Sequence, residues 1–291
     1  MQFYALYPAA AETVILTRML ADLHSHTTAS DGSLDTGALV AIAEAAKIDM
    51  LAITDHDTVA GLQAFSPEPG SRCRIIPGIE LSTTWRKTAI HVLGLNIDIN
   101  SRALADGIER QQTARCERAD VIAARLGKLG LHGTLEGAMT LAGAAGVSRV
   151  HFANYLVESA QVKSLQEAYG KYLGPGKPGD VKSLWASLDE VIEWIAAAGG
   201  VSVLAHPAKY RLTNLKLEEL VHDFRAAGGQ GLEVLSGKQD ASLTRRLGKL
   251  ANRMGLMASC GSDFHRPGQG WAELGAVQSL PADCTPVWAH W

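Results

Sequence analysis

The sequence predicts an α/β protein made of repeated βα units, interrupted once by a helical insertion. Three observations carry this reading. Short apolar runs alternate with stretches of helical character. The runs are followed by histidine, aspartate or glutamate, which is where (β/α) barrels place their chemistry. The alternation fails only between residues 100 and 180, where helical patterns follow one another without a strand.

The first run contains Asp22-Leu23-His24-Ser25-His26. On an extended segment His24 and His26, two residues apart, point to the same side. Asp35 is a helix cap for residues 36–46, a stretch rich in alanine and without proline. The run Met50-Leu51-Ala52-Ile53-Thr54 then delivers Asp55, His56 and Asp57, and Arg74-Ile75-Ile76-Pro77-Gly78-Ile79 ends in Glu80. His91 opens Val92-Leu93-Gly94-Leu95. Late in the chain a helix over 188–198, stopped by Gly199-Gly200, precedes a buried strand over 201–205 and His206. Helices over 217–227 and 241–254 precede strands over 231–235 and 256–260, and the last of these leads to Asp263 and His265. Pattern alone leaves seven or eight strands open.

The interruption reads as one long arginine-rich helix over 101–129 and two shorter ones over 135–145 and 150–159, punctuated by Gly133, Gly146 and the Gly/Pro stretch 174–179. Arg115 and Arg118 are expected on a solvated face. The expected organisation is a barrel from 20–99 and 181–291, with residues 100–180 as a helical insertion that roofs the site and contacts the substrate. Residues 1–19 lack a basic start, and their longest aliphatic run, Val14-Ile15-Leu16, is too short for a signal core or a membrane span. They are expected to be a loosely packed extension.

With 291 residues and 47% hydrophobic content, the chain can bury a full core. A formal net charge of −3 argues against sequence-independent binding of duplex DNA, which needs a basic surface. A small phosphorylated ligand is compatible with it, because bound cations reverse the local potential. Cys73, Cys116, Cys260 and Cys284 are scattered with no C-x-x-C, which fits reduced thiols in the cytoplasm rather than a disulfide frame or zinc knuckle; with no long apolar run, no membrane partner is expected.

Six of the 10 histidines fall beside the apolar runs. Imidazole and carboxylate without thiolate suit Mn²⁺, Fe²⁺ or Zn²⁺. Nine candidate ligands (His24, His26, Asp31, His56, Glu80, His91, His206, Asp263 and His265) exceed what one ion uses, so two or three divalent ions are expected. Asp22 and Asp57 are read as hydrogen-bond partners outside the ligand set. Glu233 ends an apolar strand pattern that could bring it to the site. His132, His222 and His290 receive no role.

In order, the motifs DLHSHTTASDG, ITDHDT, PGIE, HVLGL, LAHP and GSDFH resemble those of the polymerase-and-histidinol-phosphatase (PHP) family of metal-dependent phosphoesterases, from about residue 20 to about residue 275. The resemblance implies a distorted seven-stranded (β/α) barrel. It also implies a ligand scheme, with Mn²⁺ the first expectation. His24, His26, Glu80 and Asp263 hold one ion; Glu80, bridging, with His91 and His206 holds a second; Asp31, His56 and His265 hold a third. The resemblance does not make Glu233 a ligand. A water activated by these ions is the nucleophile, so no serine or cysteine is needed. Family members begin just before the first motif, which makes Met19 an alternative start.

Residues 147–153 and 169–174 resemble a bacterial subgroup that removes the 3′-phosphate of nucleoside 3′,5′-bisphosphates, adenosine 3′,5′-bisphosphate to AMP among them, and whose relatives trim short RNA from the 5′ end. Ser148, Arg149, His151 and Lys177 are then candidate substrate contacts. Arg149 offers a bidentate fork to a second phosphate; the competing reading is a capped helix start with a solvated arginine. Lys177 either reaches a phosphate or keeps its loop soluble. The alternatives to a bisphosphate phosphatase are a short-RNA 5′–3′ exonuclease, a histidinol-phosphate phosphatase and, last, a non-catalytic metal-binding module.

Overall fold

A computed structural model describes residues 19–66, 70–143, 145–181, 185–277 and 279–291. The expected extension lies outside the described residues except for Met19. Seven strands follow one another around the sheet in chain order. They are β1 (Ala21–Asp22), β2 (Met50–Ile53), β3 (Arg74–Trp85), β4 (Thr88–Leu95), β5 (Val201–Leu204), β6 (Gly231–Ser236) and β7 (Met257–Gly261). Backbone bonds Leu23 N–H to Cys260 O (2.9 Å) and His26 N–H to Phe264 O (2.9 Å) join the first strand to the last, nearly closing a barrel.

The distortion has one cause. A two-residue turn, Arg86-Lys87, reverses the chain after β3, so β4 runs antiparallel to both β3 and β5 while the other neighbours pair in parallel. The N-terminal half of β4 therefore lies at the end of the barrel where the other strands finish. His91 reaches the site for this reason, opposite Ser82 in the register.

The helices are α1 (Thr36–Ala45), α2 (Ala60–Gln63), α3 (Arg102–Gly127), α4 (Thr134–Ala142), α5 (Arg149–Glu158), α6 (Leu165–Ala168), α7 (Leu188–Ala197), α8 (Asn214–Ala226) and α9 (Ala241–Met254). Asp35 caps α1 as expected, accepting from Ala38 N–H, and Ser187 caps α7 in a reciprocal box with Glu190. α6 and the π-helical turn Tyr169–Leu173 that follows it are short, and their pattern went unread in the sequence.

The main core fills the barrel and its α7–α9 side with residues such as Ile79, Val92, Ile195, Phe224 and Val234. The helical stretch has its own core around Ile122, Leu126, Phe152, Leu156 and Leu173. α3 spans both, with Leu104 in the first and Leu126 in the second. Among the described residues no helix is long and apolar enough to cross a membrane.

Candidate metal centre

β1 runs into His24 and His26, both fully buried. Their Nε2 atoms converge, each 3.2 Å from Glu80 Oε2 and 3.4 Å from Asp263 Oδ1. Glu80 sits inside β3 rather than at its end, because the strand runs on to Trp85 in the hairpin with β4. Five imidazoles surround this one carboxylate. His24, His26 and His56 face Oε2, the last through Nδ1 at 3.0 Å, and His91 (2.8 Å) and His206 (3.0 Å) face Oε1. Asp31 Oδ1 lies 3.3 Å from His265 Nε2 and 3.8 Å from His56 Nε2.

The surroundings are built to aim these groups. Glu233 accepts from His24 Nδ1 (3.0 Å), which leaves His24 Nε2 free to face Glu80, and its other oxygen accepts from the His206 backbone N–H. A carboxylate behind an imidazole is the usual support of a metal-ligating histidine. His265 Nδ1 lies 3.0 Å from Asp263 O and turns its Nε2 to Asp31 in the same way. Asp55 takes Thr27 N–H, Thr27 Oγ1 and Ser30 Oγ at 2.6–2.8 Å, shaping the loop that delivers Asp31. Asp22 lies outside the cluster, accepting from Ser262 N–H at 2.7 Å, and burial pushes its carboxyl up to about 6. His206 (φ 25°) and Asp263 (φ 56°) adopt left-handed backbone after β5 and β7. Such conformations cost on the order of 1–3 kcal/mol each and persist where the surroundings impose them.

The residues fit divalent cations. His24 Nε2, His26 Nε2, His56 Nδ1, Asp31 Oδ1 and Glu80 Oε2 are buried without a hydrogen-bond partner. Their spacings of 3.0–3.4 Å match the edges of a coordination shell whose bonds are about 2.1 Å long. All nine expected residues fall into four overlapping groups able to hold an ion: His24/His26/Asp263, His24/Glu80/His206, His56/Glu80/His91 and His26/Asp31/His56/His265. Electrostatics agree. Burial opposes ionisation of Glu80, yet His56, His24 and His91 hold it well below the carboxylate range. Burial drives His56 down to about 3, keeping it in the neutral form a cation requires.

Gly261 shows how tightly the centre is packed. A Cβ there would strike His24 Cβ and approach its backbone N at 2.7 Å. Gly261→Ala is expected to lower stability by about 1–3 kcal/mol through overpacking and to lower metal content by displacing His24. Denaturant unfolding together with metal analysis checks both; unchanged metal content would show that His24 tolerates the shift.

A cavity of about 130 Å³ opens over the cluster. Asp31, His56 and His91 of the cluster line it together with Arg115, Arg118 and Arg149. The expectation of a solvated Arg115 and Arg118 is corrected here. Arg115 is buried, donating from Nε (2.8 Å) and Nη2 (2.5 Å) to Asp57, and Arg118 Nε is buried with no partner. Both guanidinium groups stack on Trp185, at 5.3 and 5.5 Å. The signal was present in the sequence: Leu104, Gln111, Arg115, Ile122 and Leu126 recur at helical spacing, so the polar members lie on the same stripe as the apolar ones. Asp57 is a hydrogen-bond partner as expected, but of α3 and β3 rather than of a histidine; it also accepts from Ser82 N–H (2.7 Å) and Gln111 Nε2 (3.1 Å).

Ser148 caps α5. Its Oγ accepts from Val150 N–H, while His151 Nδ1 accepts from Ser148 N–H at 3.0 Å. Both are thus engaged in the helix start, and His151 does not line the cavity. Arg149 lines it, with Nη1 3.7 Å from Asp180. Lys177 is exposed in the turn after Gly174 and is not among the residues lining the cavity. Lys209, unmarked by any motif, forms an ion pair with Asp263.

A mixed barrel with buried imidazoles and carboxylates gathered around one shared glutamate is an arrangement suited to a metal-dependent phosphoesterase. The chain belongs to the PHP domain family, whose model matches residues 22–234. It is 41% identical over 269 residues to the 3′,5′-nucleoside bisphosphate phosphatase of Chromobacterium violaceum, covering 92% of this chain and 94% of that protein. It is 42% identical over 273 residues to the 5′-3′ exoribonuclease Rnm of Escherichia coli, covering 93% of each. A solved amidohydrolase structure from Chromobacterium violaceum with bound sulfate superposes with a TM-score of 0.84 at 40% identity, covering 92% and 94% of the two chains. A metal-dependent phosphoesterase structure from Bifidobacterium adolescentis gives 0.77 at 26% identity, covering 89% and 92%. The antiparallel β4 accounts for the distortion expected of the barrel.

Proposed function

We propose that this enzyme removes the 3′-phosphate of nucleoside 3′,5′-bisphosphates and releases the 5′-monophosphate. The observation that carries the reading is a cavity lined both by the cation-ready cluster and by the Arg118 and Arg149 guanidinium groups. Two or three divalent ions would occupy the cluster, Mn²⁺ first, with Fe²⁺ or Zn²⁺ suited to the same donors. When bound, they would withdraw charge from the phosphoryl oxygens and acidify a water from a pKa of about 15.7 towards about 7. The protein's own groups position the substrate. Arg149, beside the amides at the start of α5, takes the 5′-phosphate as a planar fork. Ser148 and His151 hold that helix start in shape. With one phosphate anchored there, the 3′-phosphate is the group left over the cluster. Histidinol phosphate, with a single phosphate, would leave the arginine side without an anion. The 41% identical bisphosphate phosphatase supports the same substrate class. Four free cysteines support a cytoplasmic location.

Phosphorus NMR of the products tests the polarity. The nucleoside 5′-monophosphate is expected, and accumulation of the 3′-monophosphate would reverse the assignment of the two sides. Arg149→Ala is expected to lower kcat/KM on a bisphosphate about tenfold to a hundredfold relative to a plain aryl phosphate, the worth of one charge-assisted contact at roughly 1.5–3 kcal/mol. Equal loss on both substrates would place Arg149 with the reacting phosphate or with the fold. Trimming of short RNA from its 5′ end is a second reading, favoured because the cavity continues into a larger groove.

A further inference from the structure

β4 and β5 part where two candidate ligands leave them. Their register ends with Val92 opposite Leu204, so the next pair is His91 and Ala205. In an antiparallel ladder a hydrogen-bonded pair exchanges two backbone bonds. Here one is made, from Ala205 N–H to His91 O at 3.1 Å. A side chain takes the place of the other: His91 N–H donates to Tyr210 Oη at 3.0 Å, and the Tyr210 hydroxyl donates to Ala205 O at 2.7 Å. His91 O lies farther from the same hydroxyl, at 3.4 Å, and a phenol has a single hydrogen to give. The hydroxyl thus replaces one rung of the ladder and holds the two strand ends apart by the width of an oxygen.

The segment that carries Tyr210 is held by the same site. It leaves the strand at His206 (φ 25°), passes through the 3₁₀ turn Pro207–Tyr210, which brings the phenol back between the strands, and ends at Arg211 (φ 53°). Neither bracketing residue is glycine, so the shape of the turn is imposed by its surroundings. The Tyr210 ring meets the His206 imidazole edge-on, with centroids 5.4 Å apart at 69°. One side chain therefore touches the backbone of His91 and the ring of His206. These are the two imidazoles that face Oε1 of Glu80, at 2.8 and 3.0 Å, while His24, His26 and His56 face Oε2.

We propose that Tyr210 is a positioning residue whose hydroxyl sets the separation of His91 and His206, and with it the cation affinity on the Oε1 side of Glu80, separately from the rest of the centre. The proposal rests on the metal reading of that centre and adds to it a residue that is not itself a ligand. Of the four ligand groups among the described residues, two contain His91 or His206 (His24/Glu80/His206 and His56/Glu80/His91) and two contain neither. Without the hydroxyl, His91 N–H and Ala205 O are either left unpaired or drawn together into the missing rung. In both cases the two imidazoles change their spacing against Glu80. Losing a supporting contact of this kind costs about tenfold to a hundredfold in metal affinity.

The test is metal binding rather than turnover. Mn²⁺ is titrated into the full chain after chelation and dialysis, and the free ion is followed by electron paramagnetic resonance, in the wild type and in Tyr210→Phe. Phenylalanine keeps the ring against His206 and deletes only the oxygen. The variant is expected to bind at least one Mn²⁺ about tenfold to a hundredfold more weakly than the wild type and at least one with wild-type affinity. In a His91→Ala/His206→Ala background, which lacks the two ligands that Tyr210 positions, adding Tyr210→Phe should weaken nothing further. Unchanged binding of every ion in Tyr210→Phe, an equal weakening of all of them, or a further loss in the triple variant would each overturn the proposal. A wild-type chain that bound no Mn²⁺ would overturn the metal reading beneath it, which separates that failure from the failure of the role given to Tyr210.

Discussion

Glu80→Gln is expected to lower turnover by at least about a thousandfold and to strip most of the bound metal, because the substitution removes the one carboxylate that every group around it shares. The amide keeps the size of the side chain but presents a neutral oxygen and an N–H₂ group that cannot bind a cation. Five imidazoles face the two oxygens of Glu80, three on one and two on the other. Whichever oxygen the amide turns toward its neighbours, at least two histidines meet a donor where they had an acceptor. Metal analysis and steady-state kinetics on the same preparation check the result. Full metal occupancy in the variant would show that Glu80 is a packing residue and would remove it from the centre.

The second large effect is on stability. Asp57→Ala is expected to destabilise the fold by about 3–5 kcal/mol, because it leaves the Arg115 guanidinium buried and without its counter-charge. Asp57 receives two bonds from Arg115, two from Ser82 (its backbone N–H and its Oγ–H) and one from Gln111, so β3 and α3 are joined through this one side chain. Its ionised form is favoured in the fold. Burial raises its pKa, but Arg115 and the Ser82 N–H lower it further, so the net shift is downward. The stabilisation is therefore present at neutral pH and is lost as the pH falls through the depressed carboxyl pKa. Asp57 is the neighbour of His56, so the variant should also weaken the metal site nearest α3. Denaturant unfolding of Asp57→Ala beside the double variant Asp57→Ala/Arg115→Met distinguishes the causes. Partial recovery in the double variant is expected, because it removes the orphaned charge; no recovery would mean that the hydrogen bonds to Ser82 and Gln111 dominate.

Much of the centre was legible before any coordinates. Candidate ligand residues are few in kind and chemically distinctive, and all but Asp31 stand close to an apolar run whose strand character is plain from composition. The helices of the barrel were read to within a few residues because their caps are local: Asp35 before α1, and Gly199-Gly200 after α7. The short α6 and its π-helical turn were missed because an element of four or five residues has too little periodicity to register.

What remained hidden depends on contacts distant in sequence. Arg115 was expected in solvent because a charged residue on an amphipathic helix usually is; its burial follows from Asp57, 58 residues away, which supplies the counter-charge. Glu233 was read as a neighbour, but its tie to His24 crosses 209 residues and exists only once the barrel is nearly closed. Ser148 and Arg149 both line the cavity, but Ser148 does so while its Oγ caps α5, whereas the Arg149 side chain is free of the helix start. The sequence by itself determined the candidate donor set of a metal-dependent phosphoesterase and the βα order that carries it, because ligand chemistry and local periodicity are properties of short segments. The tertiary structure alone decided which donors share a carboxylate, which arginines line the cavity and that β4 runs backwards, because each depends on pairing and burial between segments that the chain keeps far apart.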